Sequence, residues 1–231
     1  GVSHNYLREH FYNLWFTLQA QTSAEIENIL ADLQKRFGIK FHSMPVLQTF
    51  KLSVHFNVSG KEHISKNKTI KPKSTEVLLN QEEKYILSNL QKEIEITEKP
   101  LCFLATEKLS NDDILRIIQQ LIDKGVIRRI AAVIDYKEIG FNANVLFACK
   151  VSQDRITVTG EKLASMAIVS HCYERKTFDG WPYNLFGMLH AQSMDEIKRQ
   201  VDEFTKAEKI NSYQLLPTKT ELKKEPVQHN F

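Results

Sequence analysis

A motif that occurs twice constrains the fold of this chain more than any other feature of its sequence. Val-Ser-His-x-Tyr-x-Arg starts at Val2 and again at Val169, and Tyr-Asn-Leu follows at Tyr12 and at Tyr183. The ends of each copy alternate as strands do, and the second copy has glycine and proline between them, as expected for a turn. We therefore predict two β-hairpins with aromatic and basic tips, which together indicate a paired site.

The segments after each hairpin predict the same helix and strand in both halves. Thr22 and Ser193 each have capping-box spacing to a glutamate three residues later, and an apolar stripe with helical spacing follows. Strands are predicted at residues 39–52 and 210–216. Pro45 interrupts the first of these strands and favours an edge position for it.

The second half also has a predicted strand and helix before its hairpin, at residues 144–151 and 160–166. Strand, helix, hairpin, helix and strand is the order of a ferredoxin-like α/β sandwich. The first half contains only the hairpin and the later elements of that unit. We therefore expect a truncated or cleaved form, with a stretch of about 90 residues preceding residue 1.

Between the two halves the apolar pattern becomes helical. Apolar stripes predict helices around Ile86 and Ile117, with a short helix at residues 101–105 between them, and residues 126–134 return as a strand. Three helices and a strand make a winged helix-turn-helix. The predicted fold class is α+β, with two ferredoxin-like sandwiches and a winged helix-turn-helix between them. The predicted domains are a partial sandwich at 1–56, a lysine-rich linker at 57–74, the winged helix at 75–135 and the second sandwich at 136–231.

Composition excludes several classes of protein. Of 231 residues, 42% are hydrophobic, which is too many for a disordered chain. No apolar run is long enough for a membrane helix, and no signal peptide opens the sequence. The three cysteines are widely spaced and odd in number, so we expect free thiols and a cytoplasmic location. Residues 75–125 carry ten acidic and six basic residues, a net charge of −4 that argues against DNA binding.

The order of a winged helix and a ferredoxin-like domain resembles the Lrp/AsnC regulators, and Gly-Val-Ile-Arg-Arg at residues 125–129 is similar to the start of the wing in that family. The hairpins SHNYLREHFYNLWFTL and SHCYERKTFDGWPYNLFGMLH resemble the two subunits of siroheme decarboxylase, which some members fuse into one chain. This resemblance covers nearly the whole chain. It implies a lyase that removes CO2 from the C12 and C18 acetate side chains of siroheme, giving 12,18-didecarboxysiroheme in heme biosynthesis.

The resemblance also implies which partners and cofactors to expect. The partner is a tetrapyrrole substrate, with no nucleic acid and no membrane. No cofactor is expected, because the siroheme iron belongs to the substrate, and no metal site beyond an axial histidine to that iron. The two halves are expected to form a pseudo-dimer within one chain, completed by its own N-terminal part or by a second chain.

Strand periodicity places the histidine, tyrosine and arginine of each motif on one face, because residues two apart share a face. Arginine holds carboxylates in bidentate fashion, and histidine exchanges protons near neutral pH. A carboxylated macrocycle needs both, although the same triplets also suit ordinary polar positions at a dimer seam. The predicted catalytic residues are His10, His171, His190 and Arg175. The predicted substrate-binding residues are His4, Arg8, Tyr12, Arg128, Arg129, Tyr173, Trp181 and Tyr183.

The two halves differ at two histidines. His190 aligns with Gln19, and His10 lies in the tip of the shorter first hairpin. Each is a candidate proton donor or an axial ligand to iron, since neutral imidazole suits iron. Each also fits a structural histidine with satisfied hydrogen bonds. Tyr12, Trp181 and Tyr183 are candidates to line a flat aromatic pocket for a tetrapyrrole, whereas Trp15 fits a packed core better.

Two alternative functions remain compatible with the sequence. One is a transcriptional regulator of the Lrp/AsnC type that senses a small ligand. The other is a heme-binding module without catalysis, which needs the aromatic and arginine residues but no proton donor. Replacing the histidines would separate this module from an enzyme.

Overall fold

A computed structural model describes residues 1–52, 77–127, 130 and 138–225. Arg128, Arg129, most of the predicted wing strand and the lysine-rich linker lie outside the described residues. The chain divides into two compact units, one formed by residues 1–72 and 135–224, the other by residues 73–134 and 225–231. Within the described ranges, no helix is both long enough and apolar enough to cross a membrane.

The elements follow the predicted order. Along the chain they are β1 (Val2–Arg8), β2 (Leu14–Leu18), α1 (Ser23–Phe37), β3 (Val46–Leu52), α2 (Gln81–Leu90), α3 (Asn111–Asp123), β4 (Ala143–Cys149), α4 (Ile156–Ser165), β5 (Val169–Arg175), β6 (Leu185–Ala191), α5 (Met194–Ala207) and β7 (Tyr213–Lys224). The predicted caps are present, since the Thr22 and Ser193 hydroxyls accept from the amides of Glu25 and Glu196. Gly38 ends α1 in the left-handed conformation at a φ of 66°.

All seven strands belong to one antiparallel sheet in the order β2-β1-β7-β4-β6-β5-β3. The strands β7, β4, β6 and β5 have the order of a ferredoxin-like sandwich, as predicted for the second half. The sequence predicted a partial sandwich for residues 1–56. The strands of this first half add to both edges of the second-half sheet, β1 next to β7 and β3 next to β5.

One face of this sheet packs against α4 and α5. The core between them includes Val145, Phe147, Leu185 and Leu189 from the strands and Ile197 from α5, all fully buried. A second cluster lies on the opposite face, around Trp181 and Phe186. Full burial of one Leu or Phe side chain contributes roughly 1.5–3 kcal/mol to the free energy of unfolding. The helix-side core, which buries many such side chains, is therefore the main source of stability for this unit.

The second unit is helical. Asn80 and Ser110 form capping boxes with Glu83 and Asp113, which start α2 and α3. The short helix predicted at residues 101–105 is a single 3-10 turn at Cys102–Leu104. Ile86, Leu104, Ile114 and Leu121 are fully buried together and hold these elements in place.

Candidate active site

The candidate site lies on the sheet face opposite α4 and α5, which we call the ladder face. Along β6, Leu185 and Leu189 point into the helix-side core, whereas Phe186 belongs to the opposite cluster. Strand alternation therefore places Met188 and His190 on the ladder face. The Arg8 guanidinium reaches the same face, since its Nη2 lies 3.9 Å from the Met188 sulfur.

Each motif forms a ladder of three side chains on this face, as predicted from the period of a strand. The rings of His171 and Tyr173 stack with centroids 6.2 Å apart, and the Arg175 guanidinium lies 5.2 Å from the Tyr173 ring. The first half repeats the arrangement closely. There the His4 and Tyr6 centroids are 6.3 Å apart, and Arg8 lies 5.1 Å from the Tyr6 ring.

The two arginines bind main-chain carbonyls across the two halves. Arg175 Nη1 donates to the carbonyl of Met44 at 2.8 Å, and burial lowers the pKa of this guanidinium. Arg8 is buried, and its Nη1 donates to the carbonyl of Leu216 at 2.9 Å and to Thr218 Oγ1 at 3.0 Å. Arg175 thus joins the segment before β3 to the ladder of the second half, and Arg8 joins β7 to the ladder of the first half.

A chain of hydrogen bonds links the two histidines of the second half through a serine. Ser170 Oγ lies 2.9 Å from His171 Nδ1 and 3.0 Å from His190 Nε2, and it donates to the carbonyl of Met188 at 3.2 Å. Which ring nitrogen carries the proton depends on the tautomer of each histidine. When the Ser170 hydroxyl turns from the Met188 carbonyl to an imidazole, this His171–Ser170–His190 chain can pass a proton between the buried imidazole and the partly exposed one.

His190 is held neutral in this environment. Burial lowers its pKa from 6.5 to about 4, and the positive neighbours His171, Lys224 and Arg8 act in the same direction. Burial and Lys224 also lower the pKa of His4, whose Nδ1 lies 3.0 Å from Ser3 Oγ. A face lined by two neutral histidines and several fixed cations favours an anionic ligand, which would raise both pKa values on binding.

The first half has no counterpart of the buried His190 of the His171–Ser170–His190 chain. The amide of Gln19 donates to the carbonyl of Gly1 at 3.0 Å, as the amide of His190 donates to that of Ile168 at 2.9 Å. Gln19 therefore occupies the position of His190, as the sequence alignment predicted. Ser3 and His4 are present, but the imidazole at the end of the relay is replaced by an amide that does not titrate.

The hairpin tips form a packed aromatic cluster beside the ladders. The ring of Trp181 lies 5.3 Å from those of His10 and Trp15 and 4.8 Å from that of Tyr183. Trp181 is 1% exposed, so its ring is enclosed by its neighbours, and its role in substrate binding stays a prediction. Close packing of several large rings at the meeting point of both hairpins causes this burial. Trp15 is partly buried and packs against this cluster, as expected.

His10 and Tyr12 lie at the edge of that cluster. His10 Nδ1 accepts the amide of Tyr12 at 3.0 Å, and the two rings stack at 5.9 Å. The Tyr12 carbonyl accepts the indole N–H of Trp15 at 2.6 Å. His10 is thus not part of the His171–Ser170–His190 chain, and no described contact joins the two sites.

Three features of the site were missed in the sequence. Ser170 was overlooked although serine precedes histidine in both motifs, and that repetition was the available signal. Lys224, which lowers the pKa of His190, and Asn144, which pairs with His190 across β4 and β6, gave no signal. They are far from the motif in sequence and reach it only through pairing of β7 and β4. Arg128 and Arg129 lie outside the described residues. Cys172 is fully buried on the helix side, with its Sγ 3.6 Å from the Gly160 carbonyl.

Within the described ranges, no three His, Cys, Asp or Glu side chains cluster as a metal site.

Several known proteins are similar to this chain. The AsnC-like ligand binding domain family matches residues 1–51 and 138–223. The siroheme decarboxylase of Hydrogenobacter thermophilus is 33% identical over 231 residues, which cover 97% of this chain and 67% of that protein. The siroheme decarboxylase beta subunit of Methanosarcina barkeri is 33% identical over 60% of this chain and 92% of its own length.

Solved structures agree with the sequence relatives. The crystal structure of the siroheme decarboxylase NirDL superposes with a TM-score of 0.69 at 31% identity, covering 99% of this chain and 66% of that one. The same protein has been solved in co-complex with an iron-uroporphyrin III analogue, with a TM-score of 0.67. Escherichia coli AsnC, at 17% identity and a TM-score of 0.54, shares the fold over 66% of this chain.

The present chain spans about two thirds of the length of its full-length relatives, 67% for the Hydrogenobacter protein and 66% for NirDL. The family model matches segments of both halves, and the identity to the Hydrogenobacter protein extends over nearly the whole sequence. These two findings decide the family. The chain belongs to the siroheme decarboxylases, a family built on the AsnC-like ligand binding domain.

Proposed function

We propose that this chain decarboxylates siroheme, removing CO2 from the C12 and C18 acetates in heme biosynthesis, and that the ladder face of the second half carries the reaction. The observation that carries the proposal is the His171–Ser170–His190 chain beside Arg8 on one face of the sheet. The identity to siroheme decarboxylases supports the same substrate for this face.

Decarboxylation of a ring acetate needs an electron sink. Adding a proton to a carbon of the conjugated macrocycle makes the ring electron-poor, so that the bond to the carboxylate carbon can break. Its electron pair passes into the ring, CO2 leaves, and a proton shift to the side-chain carbon leaves a methyl group. Each acetate consumes one proton without any change of oxidation state, and no cofactor is required in this scheme.

The histidine chain fits the proton-transfer part of this scheme. His171 is partly exposed at the ladder, whereas His190 is buried behind Ser170. Substrate carboxylates close to His190 would raise its pKa from about 4 towards neutrality, so that it gains a proton when the site is occupied. A neutral imidazole also suits iron, so His190 and His10 both remain candidates for an axial ligand.

In this proposal, arginine and tyrosine side chains position the substrate. Arg8 and Arg175 keep fixed positive charge on the two ladders, and Tyr6 and Tyr173 stack between them and the histidines. Fixed charges that hold carboxylates in a low-dielectric site supply much of the rate in such reactions.

Pairing of β1 with β7 and of β3 with β5 supports a pseudo-dimer of the two halves. The three free cysteines fit a reducing cytoplasm.

Anaerobic incubation of the purified chain with siroheme tests the proposal. We expect a product whose mass corresponds to the loss of two CO2 molecules from the substrate. Recovery of unchanged siroheme from a chain that binds it would instead support a heme-binding module. Sequence-dependent binding to duplex DNA would support a regulator, which the net charge of −4 over residues 75–125 disfavours.

A further inference from the structure

The two ladders differ in the row of side chains that lies beside each of them. In an antiparallel pair of strands, residues directly opposite each other have their side chains on the same face of the sheet. The row beside the second-half ladder comes from β3 and is uncharged: it consists of Val46, Thr49 and Leu52, opposite Arg175, Tyr173 and His171 in that order. This row therefore offers no charge to a ligand on the ladder face.

The row beside the first-half ladder is polar and carries charges of both signs. It comes from β7 and consists of Thr218, Glu221 and Lys224, opposite Arg8, Tyr6 and His4 in that order. Because His4 and His171 hold the same position in the two motifs, Lys224 is the counterpart of Leu52. The two halves thus differ by a lysine in place of a leucine, in addition to His190 in place of Gln19.

Lys224 lies near histidines of both halves. It is opposite His4 in the register of β1 and β7, and its ammonium lowers the pKa of His4. The same ammonium is one of the positive charges that lower the pKa of His190. The two exchanges that separate the halves, histidine for glutamine and lysine for leucine, therefore fall at one place on the ladder face.

The side chain of Lys224 can reach an anionic ligand. It is 35% exposed, and its Nζ lies 3.9 Å from Glu221 Oε2, which is long for a charged hydrogen bond. Arg8 is different, because it is buried and its Nη1 already donates to the Leu216 carbonyl and to Thr218 Oγ1. An incoming carboxylate thus finds in Lys224 a cation with a partly exposed side chain beside His190.

We propose that Lys224 binds a carboxylate of siroheme that the reaction leaves in place, and so holds the macrocycle beside His190. This inference rests on the proposed function, because it takes siroheme as the ligand. A cation paired with the reacting carboxylate would stabilise a charge that disappears when neutral CO2 leaves, and would oppose the reaction. A carboxylate that keeps its charge is held equally well before and during the reaction, so Lys224 contributes to binding and not to proton transfer.

The exchange of lysine for leucine also selects between the two sides of the pseudo-dimer. Leu52 offers no ion pair to a carboxylate, whereas Lys224 does. The carboxylated edge of the macrocycle is therefore favoured next to His190 and disfavoured at the equivalent position near Gln19. Substrate is in this way directed to the half that contains the buried imidazole.

Absorbance titration of the purified chain with iron uroporphyrin III, a carboxylated iron macrocycle, tests the contact by itself. We expect Lys224→Met to raise the Kd about tenfold or more, because it removes the charge and keeps an unbranched side chain of similar length. Glu221→Gln should lower the Kd, since it removes the negative charge beside Lys224. Shifts of opposite sign are the result of a charge contact, whereas a loss of packing would weaken binding in both variants.

The matched control is Lys223→Met, at the neighbouring lysine. Lys223 is opposite Asn5 and so lies on the other face of the sheet, and we expect an unchanged Kd. Retained melting transitions will show that all three variants fold. With siroheme itself, the single-turnover rate of Lys224→Met at saturation should stay within about twofold of the wild-type rate, because only binding is lost.

An unchanged Kd in Lys224→Met, an equal loss in Lys223→Met, or weaker binding in Glu221→Gln would overturn the proposal. A saturated rate that falls as far as that of a His190 variant would place Lys224 in the chemistry and would also overturn it. The titration with iron uroporphyrin III requires no turnover. A failure of the Lys224 contact and an absence of siroheme decarboxylation are therefore separate results.

Discussion

The two halves of this molecule carry the same ladder in different surroundings. His4, Tyr6 and Arg8 repeat the stacking geometry of His171, Tyr173 and Arg175 to within a tenth of an ångström in each ring or cation distance. The second half adds a buried histidine behind its serine, where the first half has Gln19. Under the proposed function, this difference makes the ladder a shared binding scaffold, and a single buried imidazole distinguishes the reactive half from the binding half.

The largest expected effect is on the reaction itself. His190→Gln gives the second half the residue that the first half already has. We expect the decarboxylation rate to fall by about 10²–10⁴, the usual contribution of a positioned acid or base, while siroheme binding changes little. Single-turnover rates and absorbance titrations measure the two quantities separately. Gln19→His is the matched control: it keeps His190, so the rate should not fall. Full activity in His190→Gln would remove His190 from the mechanism.

The second effect is on stability in acid. The folded-state pKa of His190 is about 4 against 6.5 for the unfolded chain, so the unfolded state binds a proton that the folded state does not. This contribution is fully present above pH 6.5 and is lost as pH falls towards 4, which amounts to about 3 kcal/mol of unfolding free energy. Urea unfolding across this range should show that loss in the wild type and much less of it in His190→Gln. Parallel pH profiles would contradict the assignment.

A third effect compares the two arginines. Arg8→Ala removes a buried guanidinium and its bonds to Leu216 and Thr218, and we expect a loss of about 2–3 kcal/mol. Arg175→Ala removes the bond to the Met44 carbonyl and should cost about 1 kcal/mol, while also weakening siroheme binding. Denaturant midpoints of both variants measure the order. A larger loss for Arg175→Ala would reverse the assigned roles.

The smallest effect concerns the residue with positive φ that follows α1 in the first half and α5 in the second half. Gly38 and Lys209 both have positive φ, at 66° and 53°. Lys209→Gly should stabilise the chain by roughly 0.5–1 kcal/mol, because glycine adopts this conformation without strain. Gly38→Lys should destabilise it by about the same amount, through backbone strain alone, since nothing lies within 4 Å of a Cβ at this position. Thermal melting of both variants provides the comparison, and shifts of the same sign would contradict it.

Local structure was largely predictable from the sequence. The period of two in each motif placed His171, Tyr173 and Arg175 on one face, and the spacing from Ser193 to Glu196 located the start of α5. These predictions depend on contacts within a few residues. The motif repeat also identified Gln19 as the counterpart of His190.

Contacts between distant segments were not predictable from the sequence. The pairing of β1 with β7 joins residues more than 200 positions apart, and no local pattern encodes it. That pairing brings Lys224 close to His190 and puts both halves into one sheet. The burial of Trp181 follows from the meeting of two hairpin tips, whereas its sequence context fits an open pocket equally well.

The stoichiometry of siroheme tests the central claim most directly. Titrating the anaerobic chain with siroheme and following both absorbance and product mass counts the sites that bind and the sites that react. The account predicts one productive siroheme per chain, converted at the half that contains His190. Two equivalent sites that both bind tightly and both release CO2 would contradict it, because the difference between His190 and Gln19 would then have no chemical consequence.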